Sequence, residues 1–167
     1  MEEQFITLID FKNYEISNLG RVRSKTTGRI MKQRINPNGY NIVDVRMNYK
    51  KDLKLVHRLI AIAFIPNPNN LPIIDHIDGN RVNNNIENLR WASYSQNAMN
   101  TKIRVNNTSG TKGISYHKRD KVWAAFISYN NQKLHLGNFK TKEEAIEART
   151  NKANELFKEF TPLHQKI

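Results

Sequence analysis

Apolar and polar residues alternate with a period of two in short runs through the first third of the chain. Tyr14-Glu15-Ile16, Arg21-Val22-Arg23 and Tyr40-Asn41-Ile42-Val43-Asp44-Val45 follow it, between the turn signals Asn18-Leu19-Gly20, Thr27-Gly28 and Asn36-Pro37-Asn38-Gly39. This pattern predicts short antiparallel strands. The period then lengthens: Val56, Leu59, Ile60, Ala63 and Phe64 recur at helical spacing, and Pro66 ends the run. Pro72-Ile73-Ile74 predicts a strand that delivers Asp75-His76, followed by an Asp78-Gly79 turn and an asparagine-rich loop. Leu89-Arg90-Trp91-Ala92 reads as the returning strand, and Ser93 as the cap of a helix containing Gln96-Asn97-Ala98-Met99.

The stretch from Asn100 to Gly110 is polar and without period, and reads as a linker. Three strand-like runs follow at 112–117, 122–129 and 133–139, with Tyr129-Asn130-Asn131-Gln132 turning between the last two. Thr141-Lys142-Glu143-Glu144 is a capping-box sequence opening a helix that reaches about Phe157. On the sheet, Trp123, Ala125 and Ile127 share a face with Ile114, Tyr116, Leu134 and Leu136, against the small apolar residues of the helix. The other face collects Lys112, Ser115, His117, Ala124, Ser128, Lys133 and His135, polar, basic and free of carboxylates. The expected fold class is therefore α+β: a small N-terminal antiparallel sheet, a strand–loop–strand–helix core, a linker, and a three-stranded antiparallel sheet packed on one helix. The corresponding segments are 1–54, 55–100, 101–110 and 111–160. A fragment ending near Asn106 is expected to keep whatever chemistry residues 75–97 perform.

Charge narrows the partner. The 167 residues carry a formal net charge of +12. Residues 1–100 hold 14 Lys/Arg against 9 Asp/Glu, and residues 101–167 hold 13 against 6, so both halves are basic. A polyanion is implied, because cationic side chains that neutralise phosphates release condensed counterions. The absence of cysteine excludes disulfides and thiolate zinc sites. No run approaches the length of a membrane span, and Met1–Asp10 lacks the pattern of a secretory signal, so a cytoplasmic protein is expected, in a host cell if phage-encoded.

Asp75-His76, with Asn88 and Asn97 downstream, holds the residue types that phosphodiester hydrolysis needs. An imidazole can take a proton from water near neutral pH. A carboxylate is a hard oxygen ligand for Mg²⁺ or Mn²⁺, ions that keep several waters and bind phosphates. Neighbours on a strand point to opposite sides, so one can face a metal and the other the attacking water. Asp78 is expected to form the turn, and Trp91 to pack. His57 reads as a core or surface residue of its helix. Arg21, Arg23, Lys25 and Arg29 form either a solvated face or contacts to a nucleic-acid backbone.

The string Asp75-His76-Ile77-Asp78-Gly79-Asn80, Asn83-Asn84-Asn85-Ile86-Glu87-Asn88-Leu89-Arg90-Trp91 and Gln96-Asn97 closely resembles the ββα-metal motif of HNH endonucleases, in their phage homing branch. Val56-His57-Arg58-Leu59 and Ala63-Phe64 resemble the helix before that motif, and Tyr14–Ser24 a nuclease-associated modular DNA-binding segment. By position, the resemblance implies His76 as general base, Asp75 and Asn97 as ligands of one Mg²⁺ or Mn²⁺ ion, and Asn88 as the residue that orients the His-bearing loop. Asn97 stands where many relatives have His, a departure that favours a hard ion over zinc.

Ser109-Gly110-Thr111-Lys112-Gly113-Ile114, Trp123-Ala124-Ala125-Phe126-Ile127, Leu136-Gly137-Asn138-Phe139 and Glu144-Ala145 resemble the Apetala/ethylene-response-factor (ERF) DNA-binding domain over about 109–160. Matched positions imply DNA contacts by Lys112, Ser115, His117, Arg119, Ser128, Lys133 and His135. The expected protein is a sequence-directed, homing-type endonuclease that nicks double-stranded DNA as a monomer. Its rivals are a non-catalytic DNA-binding regulator and a restriction or defence nuclease of the same type.

Overall fold

The computed structural model describes residues 2–47, 50–101, 103, 105–130 and 132–157. The expected turn residue Asn131 and the last expected domain residues, 158–160, lie outside that set. Contacts divide the chain into two compact units, Met1–Ala92 and Ser93–Ile167. The division falls inside the 55–100 segment, and the first segment shares one unit with the strands that follow it. No helix among the described residues is long and apolar enough to cross a membrane.

Alternation in the first unit produces two three-stranded antiparallel sheets. One is built from β1 (Phe5–Thr7), β2 (Tyr14–Ser17) and β3 (Val22–Ser24), the other from β4 (Gln33–Ile35), β5 (Asn41–Met47) and β6 (Lys50–Leu55). Helix α1 (Val56–Phe64) follows β6 directly, and β7 (Ile73–His76) pairs with β8 (Leu89–Ala92). The inward residues of all these elements meet in one cluster that includes Ile16, Val22, Val43, Val45, Val56, Ile60, Ile74 and Leu89. Fully burying a side chain such as Ile16 or Ile60 contributes about 1.5–3 kcal/mol. The N-terminal strands are therefore part of the core that supports β7 and β8. One backbone bond, Ile86 N–H to the Asn18 carbonyl at 3.0 Å, also ties the loop before β8 to the loop after β2.

The second unit begins with α2 (Tyr94–Asn100), whose expected cap Ser93 is joined by Gln96 in a reciprocal capping box. Strands β9 (Ile114–His117), β10 (Val122–Tyr129) and β11 (Gln132–Phe139) form an antiparallel sheet with β10 central, and α3 (Lys142–Phe157) follows. Thr141 and Glu144 cap α3 reciprocally, as the sequence predicts. Ile114, Ala125 and Ala145 are the buried centre of the sheet–helix contact, with Trp123, Leu136, Phe139 and Ile146 around them. The register shifts between Ala125 and Phe126, whose partners are Gly137 and His135. This bulge places Leu136 as the extra residue of β11, where simple alternation puts it in step with Leu134.

Gly113 shows why the chain enters β9 as it does. Its φ is +68°, and an added Cβ would lie 2.2 Å from the Phe126 carbonyl oxygen and 2.6 Å from Arg149 Nε. The Gly113 carbonyl in turn accepts from Phe126 N–H at 2.7 Å. A rigid backbone on one side and a buried side chain on the other leave nothing to yield. Gly113→Ala is expected to destabilise the protein by more than about 2 kcal/mol, read as a lower urea midpoint with an unchanged m-value.

Candidate functional site

Strand β7 ends at His76, and the alternation of its side chains sorts Asp75 and His76 to different surroundings. Asp75 lies directly across from Arg90 on β8. Arg90 Nε and Nη2 donate to Asp75 Oδ2 at 2.9 and 2.8 Å. Asp75 is buried, and a carboxylate withdrawn from water needs such a counter-charge. On the other side, His76 Nε2 meets Asn84 Oδ1 at 3.0 Å, and both residues are buried. With Nε2 protonated toward that amide oxygen, the basic lone pair would lie on Nδ1.

Two further rings enclose His76. The His57 ring of α1 stands edge-on at 5.1 Å between centroids, and Tyr40 lies 5.0 Å from His57 and 6.0 Å from His76. Arg81 stacks over Tyr40 at 4.9 Å and donates to the Asn38 carbonyl at 2.7 Å, pinning that turn to the loop after β7. Burial first, then the neighbouring His76 and Arg58, lowers the His57 pKa from 6.5 to about 4. His57 Nδ1 and Asn84 Nδ2 are buried without a hydrogen-bond partner among the described residues.

Between β7 and β8 runs a polar loop with almost no apolar anchor, and one amide holds it. Asn88 Oδ1 accepts from Asp78 N–H at 3.0 Å. Asn88 Nδ2 donates to Asp78 Oδ1 at 2.9 Å and to the Asn83 carbonyl at 2.8 Å. Its own carbonyl receives Ile77 N–H at 2.9 Å. Asp78 completes the clamp by accepting from Asn80 N–H and Asn83 Nδ2, both at 2.7 Å. Partial burial opposes the Asp78 charge, yet the bonds from Asn83, the Asn80 backbone and Asn88, with His76 nearby, hold its pKa below the ordinary carboxylate value. Asp78 thus organises the turn.

Asp75, His76 and Asn88 lie together in the first unit, and Asn97 lies on α2 in the second. Asn84, His57, Tyr40 and Arg90 join the site without having been singled out as functional. His57 carried a signal: it shares the buried face of α1 with Ile60 and Ala61, so it is a polar group inside an apolar stripe. Asn84 carried none, standing among several equivalent asparagines. Trp91 packs against the core as expected, with Nε1 donating to the Ile65 carbonyl at 2.9 Å. Arg21 and Arg23, offered as possible backbone contacts, pair with Glu3 and Glu15, and Lys25 donates to Thr7 Oγ1 at 3.2 Å.

On the C-terminal sheet, cross-strand pairing puts Ser115 opposite Ala124, Ser128 opposite Lys133, and His135 opposite Phe126. His117 pairs with Val122 at the end of the ladder, and Arg119 lies in the turn between β9 and β10. The Phe126 and His135 rings lie 4.9 Å apart, and Lys133 Nζ sits 4.0 Å over Phe126. Lys112 departs from this set. Its Nζ donates to the carbonyls of Ala98, Met99 and Thr101, and burial, with Arg149 close by, lowers its pKa from 10.5 to about 8.

A strand, a clamped polar loop, a returning strand and a following helix, with Asp-His closing the first strand, define the ββα class of HNH proteins. The HNH endonuclease family matches residues 54–99, and the NUMOD4 motif matches residues 3–46. Protein 3.8 of Escherichia phage T7 is 38% identical over 87 residues, which is 50% of this chain and 71% of that protein. DNA endonuclease I-HmuI of Bacillus phage SP01 is 34% identical over 110 residues, 65% of this chain and 63% of that one. A solved structure titled "DNA binding and cleavage by the HNH homing endonuclease I-HmuI" superposes with a TM-score of 0.56 at 26% identity, covering 86% of this chain and 82% of that chain. HNH endonuclease L245 of Acanthamoeba polyphaga mimivirus is 45% identical over 85 residues, 51% of this chain but 26% of that protein, so this chain spans about a quarter of that relative. The chain belongs to the HNH endonuclease family.

The buried His57 predicts a pH dependence. Its pKa is about 4 in the folded chain against 6.5 otherwise, so the unfolded chain binds more protons between those values. Stability is therefore full above about pH 6.5 and falls as the pH drops towards 4, by about 3 kcal/mol from this group alone. His57→Phe keeps a ring in place and removes the titration. Urea unfolding at pH 7 and pH 4.5 is expected to show a smaller loss for the variant than for the parent.

Proposed function

We propose that this chain is a homing-type endonuclease that hydrolyses phosphodiester bonds of double-stranded DNA with one Mg²⁺ or Mn²⁺ ion. The observation that carries the reading is His76: a buried imidazole, its Nε2 against Asn84, next to a buried carboxylate and just before a loop clamped by Asn88. The family, the phage relatives and the net positive charge support the same reading. The full set of nuclease residues argues against the non-catalytic regulator. A restriction or defence role uses the same chemistry and differs in target.

The donor chemistry fits a hard divalent ion. Among the described residues no group of three or more His, Cys, Asp or Glu side chains is arranged to hold a metal. One carboxylate and one amide oxygen, from Asp75 and Asn97, suit an ion that keeps most of its waters and takes substrate phosphate as a ligand. Such an ion, when bound, supplies a Lewis acid for the phosphate and the leaving oxygen. His76 Nδ1 takes the proton of the attacking water, and Asn84 holds the ring in the required tautomer. Arg90 keeps the Asp75 carboxylate oriented. Asn88 acts through the loop backbone and fixes the turn that follows His76.

We assign DNA binding to the polar face of the C-terminal sheet. Ser115, His117, Ser128, Lys133 and His135, with Arg119 at its edge, reach bases and phosphates from a ribbon seated in the major groove. Lys112 is left out of this set because its ammonium is engaged within the protein. A monomer with one metal site nicks one strand.

His76→Ala is expected to lower the nicking rate on supercoiled plasmid by about 10²–10⁴ while duplex affinity stays within a few-fold. EDTA is expected to stop the reaction. Near-full activity in the variant, or cleavage in EDTA, overturns the assignment. Lys133→Ala is expected to reduce the slope of log affinity against log salt by roughly 0.9, the share of one phosphate contact.

A further inference from the structure

Helix α2 has seven residues, and helices shorter than about 12–15 residues are marginal on their own. Its last carbonyls lack partners within the helix and form its negative end. The N-terminus is closed locally by the Ser93–Gln96 box, whereas the C-terminus is closed by Thr101 and, from a distance, by Lys112. Lys112 Nζ donates to the Ala98 carbonyl at 3.2 Å, to the Met99 carbonyl at 3.0 Å, to Thr101 Oγ1 at 3.0 Å, and to the Thr101 carbonyl. Thr101 Oγ1 itself donates to the Ala98 carbonyl at 2.8 Å.

The lysine is held where it is. Gly113, the next residue, is locked between the Phe126 carbonyl and Arg149, so the Lys112 backbone is fixed to β10 and α3. Beside the same helix end, Met99 is buried and its sulfur accepts from Arg149 Nη2 at 3.6 Å, Arg149 being buried on α3. Burial is costly for an ammonium group, as the lowered Lys112 pKa records. Three carbonyls at the negative end of a helix offset that cost.

We propose that Lys112 is a positioning residue which, from the far side of the 101–110 segment, orders α2 and so presents Asn97. The inference rests on the reading of Asn97 as a metal ligand, and it makes the C-terminal unit a structural requirement of the metal site. A fragment ending near Asn106 then loses its helix anchor along with the C-terminal sheet.

The test uses the full chain and four variants: Lys112→Met, Lys112→Gln, Lys133→Met and Asn97→Ala. Hydrogen–deuterium exchange reads the α2 amides, electron paramagnetic resonance reads Mn²⁺ binding without DNA, and a salt titration reads affinity for linear plasmid duplex. Lys112→Met is expected to speed α2 exchange by roughly tenfold or more. It should also raise the Mn²⁺ concentration for half-saturation several-fold and leave the salt slope unchanged. Lys112→Gln, which keeps a neutral donor, should lie between Lys112→Met and the parent and serves if Lys112→Met does not fold. Lys133→Met should leave α2 exchange and Mn²⁺ binding as in the parent and lower the salt slope. Unchanged α2 exchange in the Lys112 variants, or a salt slope reduced as in Lys133→Met, overturns the proposal. A normal Mn²⁺ titration in Asn97→Ala would instead remove Asn97 from the ligands, and α2 exchange in the Lys112 variants still decides whether the anchor exists.

Discussion

The Asn88 amide bears most of the organisation around His76. The chain between β7 and β8 is rich in asparagine and poor in apolar residues, and only near its end does Ile86 pack against the core. Its conformation rests on hydrogen bonds converging on the Asn88 and Asp78 side chains. A neutral amide suits that position because it donates and accepts at once, where a carboxylate could only accept. Partly buried, these bonds are worth more than they would be in water, and each supports the next. The position of His76 relative to Asp75 follows from β7. The position of everything that faces His76 across the loop follows from Asn88.

Much of this was legible in the sequence because the relevant signals are local. Alternation around Ile16 and Val43, the helical stripe of α1, and the capping residues Ser93 and Thr141 act over a few positions and appear in the fold where the pattern puts them. The ββα order was legible for the same reason. What escaped is long-range. Cross-strand register alone sets Arg90 against Asp75, and the pairing of Ile42 with Leu55 in the β5–β6 hairpin brings Tyr40 to His57. The bulge after Ala125, opposite Gly137 at φ +138°, leaves no mark in a pattern of period two. Lys112 was read with the polar sheet face because the residues just beyond it alternate. Its actual partners are the carbonyls of a helix that comes earlier in the chain.

Charge is divided between support and recognition in a way composition cannot show. In the first unit Arg21, Arg23, Arg34, Lys51 and Arg90 are paired with carboxylates, so much of the basic character there is internal bookkeeping. On the C-terminal sheet, Lys133 and His135 are exposed on either side of Phe126 with no carboxylate paired to them on the strands. Arg21, Arg34 and Lys51 keep more than half of their side-chain surface exposed despite those pairs, so the two units differ in how their cations are partnered and not in whether they face solvent.

The break between Ala92 and Ser93 bears on how such proteins can be recombined. A seam placed after Asn100, where the sequence turns featureless, would separate a short helix from the lysine that closes it. A seam at residue 93 keeps the two together and passes on the capping serine as well. Nucleases assembled by exchanging DNA-reading halves would then inherit the last helix of the ββα motif from the donor of the reading half. In a chimera cut at that seam, the C-terminal unit carries the last helix of the ββα order with it.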